Sequence, residues 1–311
     1  MKLTSRKHKI RNKLKILNNQ KYLQAMSLLG VAWLIIFVYL PIYGITIAFK
    51  DYNILKPVSE APWVGFKYFI EFFESDNFFR VMKNTLGISF WRLVIGFPLP
   101  IIFALFLNEL RSLKFKRIIQ TVSYLPHFIS WVVLGGILMV WLEDIGLIST
   151  ILVKLGIIEN PTHFLAYPEY FWGIVVTSDI WKEIGWRCII YISAISGINI
   201  KLYESATMDG AGRFRKMWNI TLPGIRLTIS VLLILTVSRM LESNFEQIFV
   251  LRNSLNSQAS ETIDIYVYNV GIRTQRYSLA TAIGVFRSFV ALLLLLGSNE
   301  ITKKLTDSSL F

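Results

Sequence analysis

Residues 202–223 read LYESATMDGAGRFRKMWNITLP, a polar and basic island between two long apolar segments. It opens on Glu204-Ser205-Ala206, runs through Asp209-Gly210-Ala211 and closes on Ile220, Leu222 and Pro223. Small residues at 205, 206 and 210–212 keep one surface low, so that another protein can approach the backbone. Gly210 and Gly212 suit a bend between two short helices. Pro223 suits the first turn of the helix that follows, where its missing N–H costs little.

The surroundings set the class. The chain has 311 residues, is 54% hydrophobic and has a mean hydropathy of +0.51, too apolar for a soluble globular protein. Its net charge is +13. The basic residues sit in particular loops, which argues for a membrane protein and against a nucleic-acid partner. The single cysteine, Cys188, excludes an intrachain disulfide and supplies no metal cluster. His8, His127 and His163 are too scattered in sequence to suggest a metal site. No GxxxxGK[ST] phosphate loop and no HExxH motif occurs, so no ATPase or metalloprotease chemistry is expected of this chain.

The hydropathy pattern predicts six spans: Tyr22–Phe49, Asn84–Asn108, Ile118–Leu142, Trp172–Ile198, a fifth beginning at Leu227–Glu242, and Ser278–Leu296. Residues 243–277 read as a polar loop. Tyr22–Phe49 is too long for a signal-peptide core and reads as a retained helix. Residues 1–21, with eight Lys or Arg and no acid, read as a cytoplasmic tail that can also lie on anionic lipid. Residues 301–311 form a second cytoplasmic tail. The N-terminus, the 109–117 loop, the 199–226 loop and the C-terminus are basic, whereas the intervening loops are neutral or acidic. The positive-inside rule then puts both termini and the quoted stretch in the cytoplasm. The expectation is an all-α integral membrane protein with a transmembrane domain over residues 22–300.

The quoted stretch resembles the cytoplasmic coupling loop, the EAA motif, of permease subunits of binding-protein-dependent ABC importers. That pattern runs E-A-A, then D-G-A, then about nine residues to I-x-L-P; here Ser205 stands for the first Ala. The Asp-Gly-Ala form resembles the carbohydrate-uptake branch. So do WVGFKYF (63–69), NFFRVMKNT (77–85), the approach IWKEIGWRCIIYISAISGINIKLYE (180–204), FEQIFVL (245–251), and Tyr268, Tyr277, Ala280 and Ala282. The resemblance spans roughly residues 64–300. It implies a coupling helix between spans four and five, with Glu204, Ser205, Ala206, Asp209, Gly210, Ala211 and Pro223 docking onto an ATPase subunit. Glu204 and Asp209 would anchor it by capping a helix or by pairing with a basic group. It further implies a second permease, two ATPase copies carrying ATP and Mg, an extracytoplasmic solute-binding protein, and a multi-pass location in the bacterial cytoplasmic membrane. This chain itself would hold no cofactor and catalyse no reaction.

Charges within spans mark cavities or partners. The fourth span carries Asp179, Lys182, Glu183, Trp186 and Arg187 on one helical stripe, with Trp181 beside it. Arg92, Arg239, Glu242 and Arg287 lie in other spans. Internal pairing, such as Glu183 with Arg187 or Asp179 with Arg92, accounts for these charges as readily as a substrate path does. On the path reading, Trp181 and Trp186 stack on sugar rings while the charged groups, Asn244 and Gln247 bind hydroxyls. Five bases (Arg92, Lys182, Arg187, Arg239, Arg287) face three acids (Asp179, Glu183, Glu242). That excess suits an anionic, uronate-containing oligosaccharide. A permease for another solute class and an ion-coupled secondary carrier are the alternatives.

Overall fold

The computed structural model describes residues 20–306; nearly all of the expected N-terminal tail and the last five residues of the C-terminal tail lie outside it. Apart from one bridge pair, Lys50 with Trp63, the regular structure among the described residues is helical. α1 (Lys21–Phe49) is 29 residues long, and none of its most apolar window is buried by the rest of the chain. α2 (Lys67–Glu74) lies before α3 (Asn77–Glu109), whose 33 residues are interrupted by a π-helical turn at Arg92–Gly96. Pro98 and Pro100 follow that turn; each lacks the N–H that would continue the ladder of hydrogen bonds, so the helix is free to widen there.

The expected third span is not one straight helix. α4 (Leu113–Phe128) and α5 (Trp131–Trp141) meet at 98°. Pro126 removes a backbone donor, Ile129 is extended (φ −76°, ψ 129°), and Ser130 restarts the helix by accepting from the Val133 N–H at 3.3 Å. After α6 (Leu147–Lys154) comes α7 (Pro168–Ser196), 29 residues opened by proline at its first position. α8 (Ile200–Met208) and α9 (Arg213–Gly224) form a hairpin, and α9 bends by 61° into α10 (Arg226–Ser238). Pro223 therefore sits in the short turn Leu222–Gly224 ahead of the bend, not in the first turn of α10.

Residues 243–277 are not a polar loop. They form α11 (Phe245–Leu251), α12 (Ser257–Ser260) and α13 (Ile263–Tyr268), then a π-helical turn at Asn269–Arg273, before α14 (Tyr277–Thr306). Ile248, Leu251, Ile263 and Ile265 are fully buried. The polar residues of this segment are held by the helices around it. Asn84 Nδ2 donates to the carbonyls of Gln258 (2.8 Å) and Glu261 (3.1 Å), and Trp172 Nε1 donates to Ala259 (3.1 Å). Asn253 and Asn256 both donate to the Leu165 carbonyl at 3.0 Å.

Among the described residues, three helices (α1, α3 and α14) are by length and composition apolar enough to cross a membrane, or five if each bent pair is one span. α7 is long enough, but its centre carries Asp179, Lys182, Glu183 and Arg187. It packs along α3 and α4, and Gly185 is the reason it comes so close: a Cβ there would fall on the Ser123 carbonyl of α4.

Candidate functional site: a charged cavity and an exposed hairpin

The hairpin is braced from within. Asn199 caps α8 by accepting from the Lys201 N–H at 3.0 Å, and Asp209 ends the helix. Gly210 then takes φ 73°, a left-handed conformation that costs other residues about 1–2 kcal/mol. Gly212, in extended conformation, starts α9. Tyr203 Oη meets Thr221 Oγ1 at 3.0 Å, Lys216 Nζ donates to Thr207 Oγ1 at 3.1 Å, and the Ala211 N–H donates to the Ala206 carbonyl at 2.8 Å. At the base, a Cβ on Gly224 would meet Ile198 Cδ1 at 2.7 Å, so the hairpin is fixed to the end of α7.

Glu204 and Ser205 lie exposed on α8, with Ala206 and Ala211 half-buried beneath. Neither Glu204 nor Asp209 caps a helix N-terminus: Glu204 is in mid-helix and Asp209 at the C-terminal end. Both carboxylates are left facing outward. Met208, Phe214 and Trp218 are also exposed, at 89%, 73% and 69%. No local sequence pattern marks these three as a surface.

The second feature is a cavity of about 520 Å³ between α3, α7, α10 and the turn after it. Arg92, Asp179, Trp186, Arg187, Arg239, Glu242 and Asn244 line it, joined by Ser89, Tyr191 and Thr236, which carried no sequence signal. The π-helical turn begins at Arg92. The guanidinium donates through Nη2 to Gln247 Oε1 at 2.7 Å, and its Nε lies 4.0 Å from Asp179 Oδ2. Gln247 is fully buried and donates from Nε2 to Val175 O (2.8 Å) and Ser178 Oγ (2.9 Å). Arg187 Nη2 is 3.0 Å from the same Asp179 oxygen. Gly96 lies where a Cβ would stand 3.5 Å from Ile180 and 3.9 Å from Arg187, so α3 and α7 approach closely at the cavity wall.

The stripe on α7 divides. Asp179, Trp186 and Arg187 reach the cavity, whereas Lys182 and Glu183 turn to the bend between α4 and α5. Lys182 Nζ donates to the His127 carbonyl at 2.6 Å and lies 3.2 Å from Glu183 Oε1; Glu183 Oε2 meets His127 Nδ1 at 2.9 Å. The Glu183–Arg187 pair considered from spacing does not form, because each partner has a nearer counter-group on another element or turn. His127 stacks on Trp186, 4.2 Å between centroids and 2° between planes, so one indole face is already covered. Trp181 is exposed and off the cavity wall. Arg287 pairs with Asp264 of α13, whose Oδ2 also accepts from the Ser243 N–H (2.8 Å) and Oγ (2.6 Å). Asp264 thus supplies a counter-charge for Arg287 from the segment expected to be a polar loop. At the cavity itself the tally is Arg92, Arg187 and Arg239 against Asp179 and Glu242, an excess of one positive charge.

The family of binding-protein-dependent transport system inner membrane components matches residues 96–304. The chain belongs to this family. The permease is 43% identical over 296 residues to Protein LplB of Bacillus subtilis (strain 168), covering 95% of this chain and 92% of that one. It is 42% identical over 293 residues to the polygalacturonan/rhamnogalacturonan transport system permease protein YteP of the same organism, covering 94% and 91%. A chain in the crystal structure of a bacterial ABC transporter involved in import of the acidic polysaccharide alginate superposes with a TM-score of 0.86 at 39% identity, covering 94% of the permease and 99% of that chain. The permease is thus a carbohydrate ABC importer component, embedded in the membrane, and its family transports rather than catalyses.

Proposed function

We propose that the permease passes acidic oligosaccharides, of the uronate-containing class, into the cell. The observation that carries this is the cavity in which three arginines face two acids, Arg187 being exposed enough to meet a ligand. Guanidinium forks match carboxylates in two-point geometry. The relatives support the same cargo: YteP is a polygalacturonan/rhamnogalacturonan permease, and a second crystal structure with a TM-score of 0.86 holds an alginate pentasaccharide-bound periplasmic protein. Trp186 offers its free face to a sugar ring; Asn244 and Glu242 meet hydroxyls.

In this reading six spans cross the bilayer: α1, α3, the α4–α5 pair, α7, the α9–α10 pair and α14. Both termini and the α8–α9 hairpin lie on the cytoplasmic side of a bacterial inner membrane, following the basic loops. The hairpin enters a cleft on an ATPase subunit, where Met208, Phe214 and Trp218 bury apolar surface and Glu204 and Asp209 pair with basic groups. Two ATPase copies hold ATP and Mg, a second permease completes the path, and a solute-binding protein delivers cargo outside. Because α9 bends into α10, and α10 forms a cavity wall, a push on the hairpin moves that wall.

Purification from mild detergent with partner subunits, followed by ATPase assay with the binding protein and galacturonate oligomers, tests this. Co-purification and stimulation by the oligomers are expected. Failure to recover an ATPase would refute the coupling role, and stimulation only by neutral sugars would refute the cargo.

A further inference from the structure

The charge imbalance of the cavity is concentrated at one atom. Asp179 Oδ2 is shared by Arg187 Nη2 at 3.0 Å and Arg92 Nε at 4.0 Å. Arg92 spends its one short side-chain bond on a neutral amide, Gln247, and its Nε is buried without a hydrogen-bond partner. Asp179 and Arg92 are withdrawn, with side chains 4% and 15% exposed, while Arg187 is 41% exposed. On the α3–α7 side the wall therefore sets Arg92 and Arg187 against Asp179, and of these two guanidiniums only Arg187 can reach a ligand; Arg239, exposed at the end of α10, and Glu242 complete the lining.

We propose that Asp179 is a built-in competitor for the cargo carboxylate, so that Arg187 tells acidic from neutral sugar by exchanging one carboxylate for another. This rests on the acidic-oligosaccharide reading above. A hydroxyl is too weak an acceptor to draw a guanidinium from a carboxylate 3.0 Å away. A uronate carboxylate is an equal partner and can do so. When Arg187 moves to the cargo, Asp179 keeps Arg92, so no buried acid is left bare at either end of the exchange. One carboxylate from the cargo cancels the cavity's excess of one positive charge. Because one ion pair replaces another, the net gain is small, which allows discrimination and still permits release.

The test uses the whole importer in proteoliposomes with its binding protein. The probes are trigalacturonate and its fully methyl-esterified form, which keeps the length and loses the charge. The readout is the half-saturating concentration for ATPase stimulation. Arg187→Gln is expected to raise it for the acid more than for the ester, by less than about tenfold in the acid-to-ester ratio, because only the difference between two ion pairs is lost and a whole charge-assisted hydrogen bond is of that order. Asp179→Asn removes the competitor and is expected to lower it for the acid. Opposite shifts distinguish exchange from structural damage, which moves both variants the same way and would overturn the proposal. Should Asp179→Asn fail to assemble, Arg187→Lys, which keeps charge but not the fork, must fall between wild type and Arg187→Gln; an unchanged acid-to-ester ratio in both Arg187 variants overturns it. A wild-type importer indifferent to the charge of the probe removes the cargo reading itself, whereas a charge-sensitive wild type with equally charge-sensitive Arg187→Gln removes only the exchange.

Discussion

Replacing Gln247 by leucine removes a buried amide without changing the volume much. The amide is fully buried and makes three bonds: it accepts from Arg92 at 2.7 Å and donates to Val175 O at 2.8 Å and Ser178 Oγ at 2.9 Å. The bond from a charged donor contributes about 1.5–3 kcal/mol and each neutral one about 0.5–1.5 kcal/mol. Ser178 Oγ retains its own bond to Ile174 O at 2.5 Å, so the chief orphan is the Arg92 guanidinium. That group already has a buried Nε without a hydrogen-bond partner. The expected loss is about 3 kcal/mol or more. On the scale of domains of 150–250 residues this lowers the midpoint by about 6–12 °C. Detergent unfolding is irreversible for most proteins of this kind, so variants must be compared at one scan rate, by size-exclusion recovery after heating. Gln247→Glu keeps the acceptor for Arg92 and loses the donors, and should fall between the two. A leucine variant melting within about 1 °C of wild type would show that Arg92 is held by Asp179 alone, and the reasoning fails.

Three further outcomes follow from geometry. Gly185→Ala forces α7 off the Ser123 backbone of α4 and is expected to cost about 3 kcal/mol, read as lost monodisperse yield and a lower midpoint; Gly136→Ala, where a Cβ meets nothing, is the control. Gly210→Val places a β-branched residue at φ 73° and should weaken ATPase co-purification, while Gly210→Asn, which tolerates that conformation, should retain it. Tyr68 in the segment between α1 and α3 has its phenol pushed up to about 12, first by burial, then by the 2.6 Å hydrogen bond to Asp51 and nearby carboxylate charge. Folding holds this proton more tightly than the unfolded chain does, so its contribution is complete below pH ~10 and is lost as pH rises towards 12. A tyrosinate absorbance titration of wild type minus Tyr68→Phe should show that one late-titrating phenol; a difference centred near the ordinary tyrosine value would refute it.

How far the fold could be read depended on whether periodicity or pairing decides an element. α1 follows from an uncharged apolar run, and α3 and α14 from long apolar runs that each carry an arginine, Arg92 and Arg287. The hairpin follows from its glycines, and the φ of Gly210 answers the expectation of a bend. The α4–α5 break was signalled only by Pro126, and a proline in an apolar run is as compatible with a kink as with a right-angled turn. Residues 243–277 misled because Asn253, Asn256 and Glu261 look like solvent-facing residues. Their partners, Leu165, Arg252 and Asn269, make them interior ones. The same limit governs the charged stripe. Spacing put Lys182 and Glu183 with Asp179 and Arg187, but His127, 55 positions from Lys182, takes the first two away, and no local pattern announces that.

The right-angled break at Ile129 has a chemical consequence of its own. A helix interrupted where the surrounding protein shuts out water strands carbonyls that need another partner. Here the His127 carbonyl receives the ammonium of Lys182, and the imidazole of the same residue receives the carboxylate next door on α7. The lysine and glutamate serve as resident solvent for the broken backbone, supplied as a pair of opposite charges. The corner and the couple are therefore one unit. Removing Lys182 and Glu183 together while keeping Pro126 would leave α4 and α5 with a joint they have no means of wetting, and straightening the joint would leave two buried ions with nothing to solvate.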